Sequence, residues 1–438
     1  MEKEWEVVTE RVLCPSWVKK GDRLDEREFC LYYLENHKLV YNGGAFFTVE
    51  GRVTDIGKLR KDIYEEIAPY FTSGFAAKVD RILETLKMEA YMEKLPYQET
   101  VIHLANGAYN LSTGFFPQMV HCRYRLPVNY NENAPEPKLW KTFLEQLLEE
   151  DDILTLQEYM GYCLLPVTYG QKMLLIIGNG GEGKSRIGVV MKKLFGCNMH
   201  QSSIAKIEAS PFARADLEHV LVMVDDDMKM EALNQTNYIK SIITAELPMD
   251  LERKGIQSHQ GDLRVRFMAF GNGNLRALHD RSYGFFRRQI ILTTKPRNPD
   301  RVDDPYLGKR LEEEAEGIFL WCLEGLFRLI GQDFRFTTST KTQYNMCCAI
   351  EESCNVLEFM NSRGYFLLDK TQSATSRALY HTYRDWCDDN ILKPLSAQTF
   401  WSWLRENCGS YGMTYSNNIN IGNGKTARGF QGIRVLPR

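Results

Sequence analysis

Leu174-Leu175-Ile176-Ile177-Gly178-Asn179-Gly180-Gly181-Glu182-Gly183-Lys184-Ser185 is the stretch on which the fold turns. Four consecutive apolar residues make a short run of the kind found in strands covered on both faces. The glycines that follow satisfy G-x-x-x-x-G-K-[ST], and helical spacing begins at Arg186 and runs to Leu194. Glycines let successive backbone N–H groups turn inward around phosphate oxygens, and a helix N-terminus adds partial positive charge. Lys184 is then placed to reach the β- and γ-phosphates, and the Ser185 hydroxyl to ligate Mg²⁺. With Gly178, Asn179, Gly180, Gly181, Glu182, Gly183 and Arg186 they form a candidate ATP-binding segment.

Two further apolar runs end in residues that suit such a loop. Val220-Leu221-Val222-Met223-Val224 leads into Asp225-Asp226-Asp227. A carboxylate at a strand tip beside a phosphate loop holds Mg²⁺, and a second orients the attacking water. Asp225 and Asp226 are the candidates, with the register among the three aspartates open. Phe267-Met268-Ala269-Phe270 leads into Gly271-Asn272-Gly273-Asn274, where Asn272 or Asn274 would sense the γ-phosphate. Before a fourth run, Gln289 to Leu292, stand Arg287 and Arg288; an arginine there suits neutralisation of transition-state charge from a neighbouring subunit.

The flanks of this core read as follows. A helical run at Glu26–Leu34 precedes a hairpin signal, Leu39–Tyr41, Asn42-Gly43-Gly44, Phe46–Val49. Helical positions follow at Ile63, Ile67 and Phe71, then at Ile82, Leu83, Leu86 and Met88. Residues 105–114 read as turn, short strand, turn, and residues 127–137 as a Pro/Asn-rich connector before helices at Leu139–Leu148 and Leu154–Leu165. Residues 250–266 read as a hairpin carrying Lys254 near its tip, with Arg253 and His259 beside it as further candidate DNA contacts. Near the C-terminus come helices at Asn355–Ser362, Ala374–Asp389 and after the natural N-cap Ser396, then two strands, Met413–Ile421 and Gly429–Val435. Helices followed by a β-wing predict a winged helix-turn-helix, with Lys425 and Arg428 at the wing tip as phosphate contacts. The expected fold is α/β: a P-loop parallel-sheet core in 131–336 including a helical collar, an N-terminal α/β domain in 1–130 and a C-terminal winged-helix domain in 337–438.

Composition sets the limits. The 438 residues carry a net charge of −3 and are 44% hydrophobic and 25% charged, which excludes a disordered or fibrous chain. That near-neutrality is local only in its sum: residues 251–288 and 370–438 each carry +5, so the remainder is acidic. Eleven cysteines without a CxxC pair read as reduced thiols. The N-terminus has no basic start followed by an apolar run, and no apolar stretch approaches the length of a membrane span, so a soluble intracellular chain is expected.

In these motifs and their order the chain resembles the superfamily 3 helicases, ring-forming AAA+ motors of viruses, satellite phages and mobile elements. The nearest branch includes the helicase parts of poxvirus and satellite-phage primase–helicases. Gly178–Ser185 looks like that branch's phosphate loop, with Glu182 where asparagine is typical. Asp225-Asp226 looks like its short Walker B pair. Tyr238-Ile239-Lys240 with Thr244-Ala245-Glu246 is similar to the element in which a lysine precedes a Thr-Gly-Asp-like turn. Leu251-Glu252-Arg253-Lys254 resembles the start of its DNA-tracking hairpin. Asn272 would be sensor 1, and Arg288 the arginine finger, with Arg287 its rival. Ala105–Gly114, the Trp140 helix and Gln157–Tyr162 look like the domain that precedes the motor, so the likeness runs from about Asp25 to the C-terminus. The proline usual after the sensor asparagine is missing, and no primase-like Asp-x-Asp site is visible upstream.

The resemblance implies an ATP- and Mg²⁺-dependent DNA helicase of a phage or mobile element, without a primase domain. It implies a homohexamer with ATP between subunits, Arg288 and Lys240 coming from the neighbour. Single-stranded DNA would lie in a central channel and duplex at a fork or origin, with a primase or other replication proteins as partners and no membrane. Two other readings stay open: an ATP-switched replication initiator that binds DNA without processive unwinding, and a monomeric small-molecule P-loop kinase.

Overall fold

In the computed structural model the described residues are 14–437, apart from 22, 97, 229–235, 274–284, 286, 354, 391, 393, 421 and 423–424. Asn274, Arg276, Arg281 and Phe286 lie outside them. The centre is a five-stranded, all-parallel sheet in the order Met199–Gln201, Val222–Met228, Arg266–Asn272, Met173–Gly178, Gln289–Thr293. Along the strand Met173–Gly178, Leu174 and Ile176 enter one hydrophobic cluster, while Met173, Leu175 and Ile177 enter another. Both faces are therefore buried, which is why the run is continuously apolar.

On one face lie the helices Lys138–Leu147, Glu150–Tyr162, Ser185–Phe195 and Ala315–Gly331. The second and fourth of these approach through glycines: a Cβ on Gly161 would meet the Cys322 carbonyl oxygen at 2.3 Å, and one on Gly325 the Gln157 carbonyl oxygen at 2.4 Å. On the other face lie Ile204–Ala209, Pro211–Ala215 and Asn237–Thr244. The small sheet of Val101–Leu104, Gly107–Asn110, Gly114–Phe116 and Arg125–Leu126 packs Ile102, Leu104 and Leu126 into the first cluster, so residues 101–128 share a core with the central sheet.

Residues 14–96 build a separate cluster around Trp17, Phe29, Tyr33, Ile63 and Ile82. Its helices Glu26–His37 and Ile56–Ile67 are capped by Asp25 and Asp55, and its hairpin pairs Val40–Asn42 with Ala45–Thr48. Met88, expected on the apolar face of Phe75–Glu89, is exposed. The C-terminal cluster centres on Phe359, Tyr383, Trp386, Phe400 and Phe430. Its helices Asn355–Asn361, Ser376–Asp389 and Ala397–Asn407 pack against a three-stranded antiparallel sheet ordered Phe366–Thr375, Thr426–Val435, Thr414–Asn420. The strand Phe366–Thr375 is absent from the sequence reading. It is an edge strand in which Leu367 and Leu368 are exposed, so apolar alternation is lost. Among the described residues, no helix is long and apolar enough to cross a membrane.

Candidate functional site

The glycine-rich loop leaves the strand Met173–Gly178 at its end and enters the helix at Ser185. Gly180, Gly181 and Gly183 have φ of +105°, +79° and +107°, a region in which a side chain is strained, so the glycines are required by the turn. Sheet register sets Gly178 opposite Asn272, and the Gly273 N–H donates to the Gly178 carbonyl at 3.0 Å. The Asn272 side chain thereby reaches the loop lysine: Lys184 Nζ donates to Asn272 Oδ1 at 3.0 Å and lies 2.9 Å from Glu182 Oε2. The Glu182 carboxylate also accepts from the N–H groups of Asn179 at 2.5 Å and Gly180 at 3.0 Å. Burial works against the charge on Glu182, but Lys184 and the loop N–H groups prevail and hold its pKa below the usual carboxylate value.

A cleft of about 760 Å³ opens over the loop, lined in part by Lys184, Ser185, Arg186, Asp226 and Asn272. Of the two candidate aspartates, Asp226 faces this cleft. Asp225 is buried, and its Oδ2 accepts from the Ile204 N–H at 2.7 Å, at the start of the helix Ile204–Ala209. The sheet register shifts between Asp225 and Met228, and such an irregularity re-aims successive side chains. Burial, together with the neighbouring Asp227 and Asp226, raises the pKa of Asp225.

Two arginines that line the cleft carry no signal in the sequence. Arg297 and Arg301 belong to the segment after Gln289–Thr293, which returns over the loop because that strand is the neighbour of Met173–Gly178. Arg301 Nη1 donates to the Glu182 carbonyl at 2.6 Å, and Arg297 pairs with Asp303 at 2.9 Å. Their local sequence, Lys295-Pro296-Arg297-Asn298-Pro299-Asp300-Arg301, carries the signal of a polar loop and nothing that points back to residue 180.

The structure does not bring Arg287, Arg288 or Lys240 to this cleft. Gln289 pairs with Met173, and the Met173 N–H donates to the Arg288 carbonyl at 2.7 Å, so both arginines sit at the opposite end of the sheet from Gly178. Five residues of strand at about 3.3 Å each separate them from their own loop by roughly 16 Å. Burial first, then Arg287, lowers the Arg288 pKa from its usual value, while Glu246 opposes. Lys240 lies on the helix Asn237–Thr244.

The expected hairpin forms from Met249–Arg253 and Ile256–Gly261, with Lys254 exposed at its turn and 5.9 Å from the Phe212 ring. Its other two candidate DNA contacts are turned inward. Arg253 Nη2 meets Glu218 Oε2 at 2.6 Å, Arg253 Nη1 donates to the Gly43 carbonyl at 2.9 Å, and His259 Nε2 lies 2.8 Å from Glu218 Oε1. Arg266, also counted in the basic segment, is buried and donates to the carbonyls of Cys163, Val167 and Arg264. The formal +5 of residues 251–288 thus overstates the charge presented to solvent. Lys425 and Arg428 are exposed at the end of the C-terminal hairpin.

A family model described as a family of unknown function (DUF5906) matches residues 176–288. No curated protein matches. Among solved structures, the A-form apo structure of the NrS-1 C-terminal region aligns with a TM-score of 0.55 at 11% identity, covering 94% of this chain and 100% of that one. A second apo structure of the same region aligns with a TM-score of 0.49 at 11% identity, with coverage of 94% and 100%. The first alignment establishes a shared overall fold spanning nearly the whole chain.

Proposed function

We propose that this chain is an ATP- and Mg²⁺-dependent replicative DNA helicase of a phage or mobile genetic element, built on an AAA+ P-loop core and working as a homohexameric ring. The observation that carries the reading is the convergence of Lys184, Ser185, Asp226 and Asn272 on one cleft above a loop whose N–H groups already hold an anion. Lys184 binds the β- and γ-phosphates. The Ser185 hydroxyl and Asp226 carboxylate are hard oxygen donors that fit Mg²⁺, which neutralises phosphate charge when bound. Asn272 senses the γ-phosphate, and the inward commitment of Asp225 leaves Asp226 as the working carboxylate. Arg288, with Arg287 beside it, lies too far to serve its own cleft and acts in the cleft of the adjacent subunit, as does Lys240.

Six copies of Lys254 line a central channel for single-stranded DNA, with duplex ahead at the fork or origin. The C-terminal helices and hairpin form a winged helix whose Lys425 and Arg428 contact phosphate, and a primase or other replication proteins complete the assembly in the host cytoplasm. The division at residues 130 and 336 belongs to the same reading, except that residues 101–128 go with the central sheet whose core they share. Arg253 and His259 are committed to Glu218, so the hairpin offers DNA fewer cations than its sequence suggests, which favours a second reading, an ATP-switched initiator that binds DNA without processive unwinding.

ATP hydrolysis by purified wild-type chain and by Lys184→Ala tests the site. The variant is expected to lose at least about 100-fold in turnover, the scale for removing a group that stabilises developing charge. Turnover equal to wild type would overturn the assignment.

A further inference from the structure

The side chain of Glu182 occupies the place that the proposed function gives to phosphate. Its carboxylate takes the N–H groups of Asn179 and Gly180 and the Nζ of Lys184, three donors that a P-loop directs at a nucleotide. Glu182 is only 3% exposed, so this is no surface carboxylate resting on a loop. The loop backbone is held by a separate contact, from Arg301 Nη1 to the Glu182 carbonyl, so the side chain is free to leave while the loop keeps its shape.

We propose that Glu182 is a built-in competitor of the nucleotide polyphosphate, a carboxylate that fills the anion-binding loop and vacates it when nucleotide binds. The inference rests on the nucleotide site assigned above and adds to it a residue that sets affinity. One set of donors cannot serve two anions at short range, and a carboxylate left among phosphate oxygens would repel them. Two cations are near enough to receive the displaced carboxylate. A Cβ on Gly181 would lie 3.2 Å from Arg297 Nη1, and one on Gly183 3.3 Å from Arg301 Nη2, so both guanidinium groups rest against the loop on either side of residue 182. Arg297 is at present paired with the exposed Asp303, a partner it can exchange for Glu182 with little loss. The binding-competent loop is then only a fraction of the population, and apparent affinity falls by that fraction.

Equilibrium titration of the full chain with a fluorescent ATP analogue and Mg²⁺ tests this, using wild type, Glu182→Gln, Glu182→Ala and Lys184→Ala. Glu182→Gln keeps the volume of the side chain, and a melting curve on each variant confirms folding. Both Glu182 variants are expected to bind about ten-fold more tightly than wild type, equivalent to about 1.4 kcal/mol. Inorganic tripolyphosphate should displace the analogue from them with a correspondingly lower inhibition constant. If Lys184→Ala abolishes binding while both Glu182 variants bind as wild type or more weakly, the competitor is refuted and the nucleotide site survives. If no form binds nucleotide, or Lys184→Ala binds as well as wild type, the assigned site falls and the competitor with it.

Discussion

Replacing Glu218 with glutamine should loosen the hairpin that carries Lys254. Glu218 is buried and receives Arg253 at 2.6 Å and His259 at 2.8 Å, so it joins the two strands of the hairpin, and Arg253 in turn holds the turn at Gly43. Glutamine preserves the volume and removes the charge. A charge-assisted hydrogen bond contributes about 1.5–3 kcal/mol when shielded, and much less when water competes. Arg253 is 28% exposed and the His259 side chain 39%, so the first contact keeps about half of that range and the second a small part. The sum is about 1–2 kcal/mol, which raises the population of the open hairpin roughly 5- to 30-fold. Hydrogen exchange resolved by peptide is the suitable assay, because a chain with several hydrophobic clusters need not unfold as one unit. Exchange across residues 249–261 should accelerate by that factor, while the strand Met173–Gly178 stays protected. A double-mutant cycle with Arg253→Met should show coupling between the two sites. Unchanged exchange at the hairpin would refute the inward role given to Arg253 and His259.

The remaining expectations concern the helices, the histidines and the aspartates. Gly161→Ala places a methyl group 2.3 Å from the Cys322 carbonyl oxygen and 2.6 Å from the Leu326 nitrogen, both backbone atoms, so the packed helices must separate at a cost of about 3 kcal/mol; a melting point equal to wild type would contradict it. Burial, then Arg123, lowers the His219 pKa from 6.5 to about 3, and burial, then Arg125, lowers that of His103 to about 4. The unfolded chain gains these protons near pH 6.5 and the folded chain does not, so their stabilisation is full above pH 6.5 and declines as pH falls toward the folded values. At about pH 5 His219 alone should cost about 2 kcal/mol, read as faster exchange around Gly43 and residues 101–104, and exchange unaffected by acid would count against it. Asp226→Asn should suppress Mg²⁺-dependent ATP hydrolysis, whereas Asp225→Asn should chiefly weaken the anchoring of Ile204–Ala209; the reverse pattern would invert the assignment of the two carboxylates.

How far the sequence discloses this molecule depends on where each signal is written. The four long strands of the central sheet are legible because strands buried on both faces must be apolar throughout, as Leu174 to Ile177 are. The edge strand Met199–Gln201 is not, since two of its three residues are polar. The strand Phe366–Thr375 fails for a related reason, an edge whose leucines face solvent. Within the cleft, the glycine loop is a contiguous pattern, and Asn272 follows from its place at a strand tip. The choice between Asp225 and Asp226 depends on a local register shift that side-chain type does not encode. Arg297 and Arg301 depend on strand order, because only the adjacency of Gln289–Thr293 to Met173–Gly178 returns their loop over residue 182. Charge counts mislead at Arg253 and Arg266, since a formal sum cannot separate a cation facing solvent from one facing Glu218 or a ring of carbonyls.

Strand displacement on forked DNA with opposite single-stranded tails tests the central claim most directly, with wild type and Lys184→Ala compared in the presence of ATP and Mg²⁺. The account predicts that wild type separates one fork polarity in an ATP-dependent manner and that Lys184→Ala separates neither. Binding to both forks without strand separation by wild type would contradict the helicase and leave the ATP-switched initiator in its place.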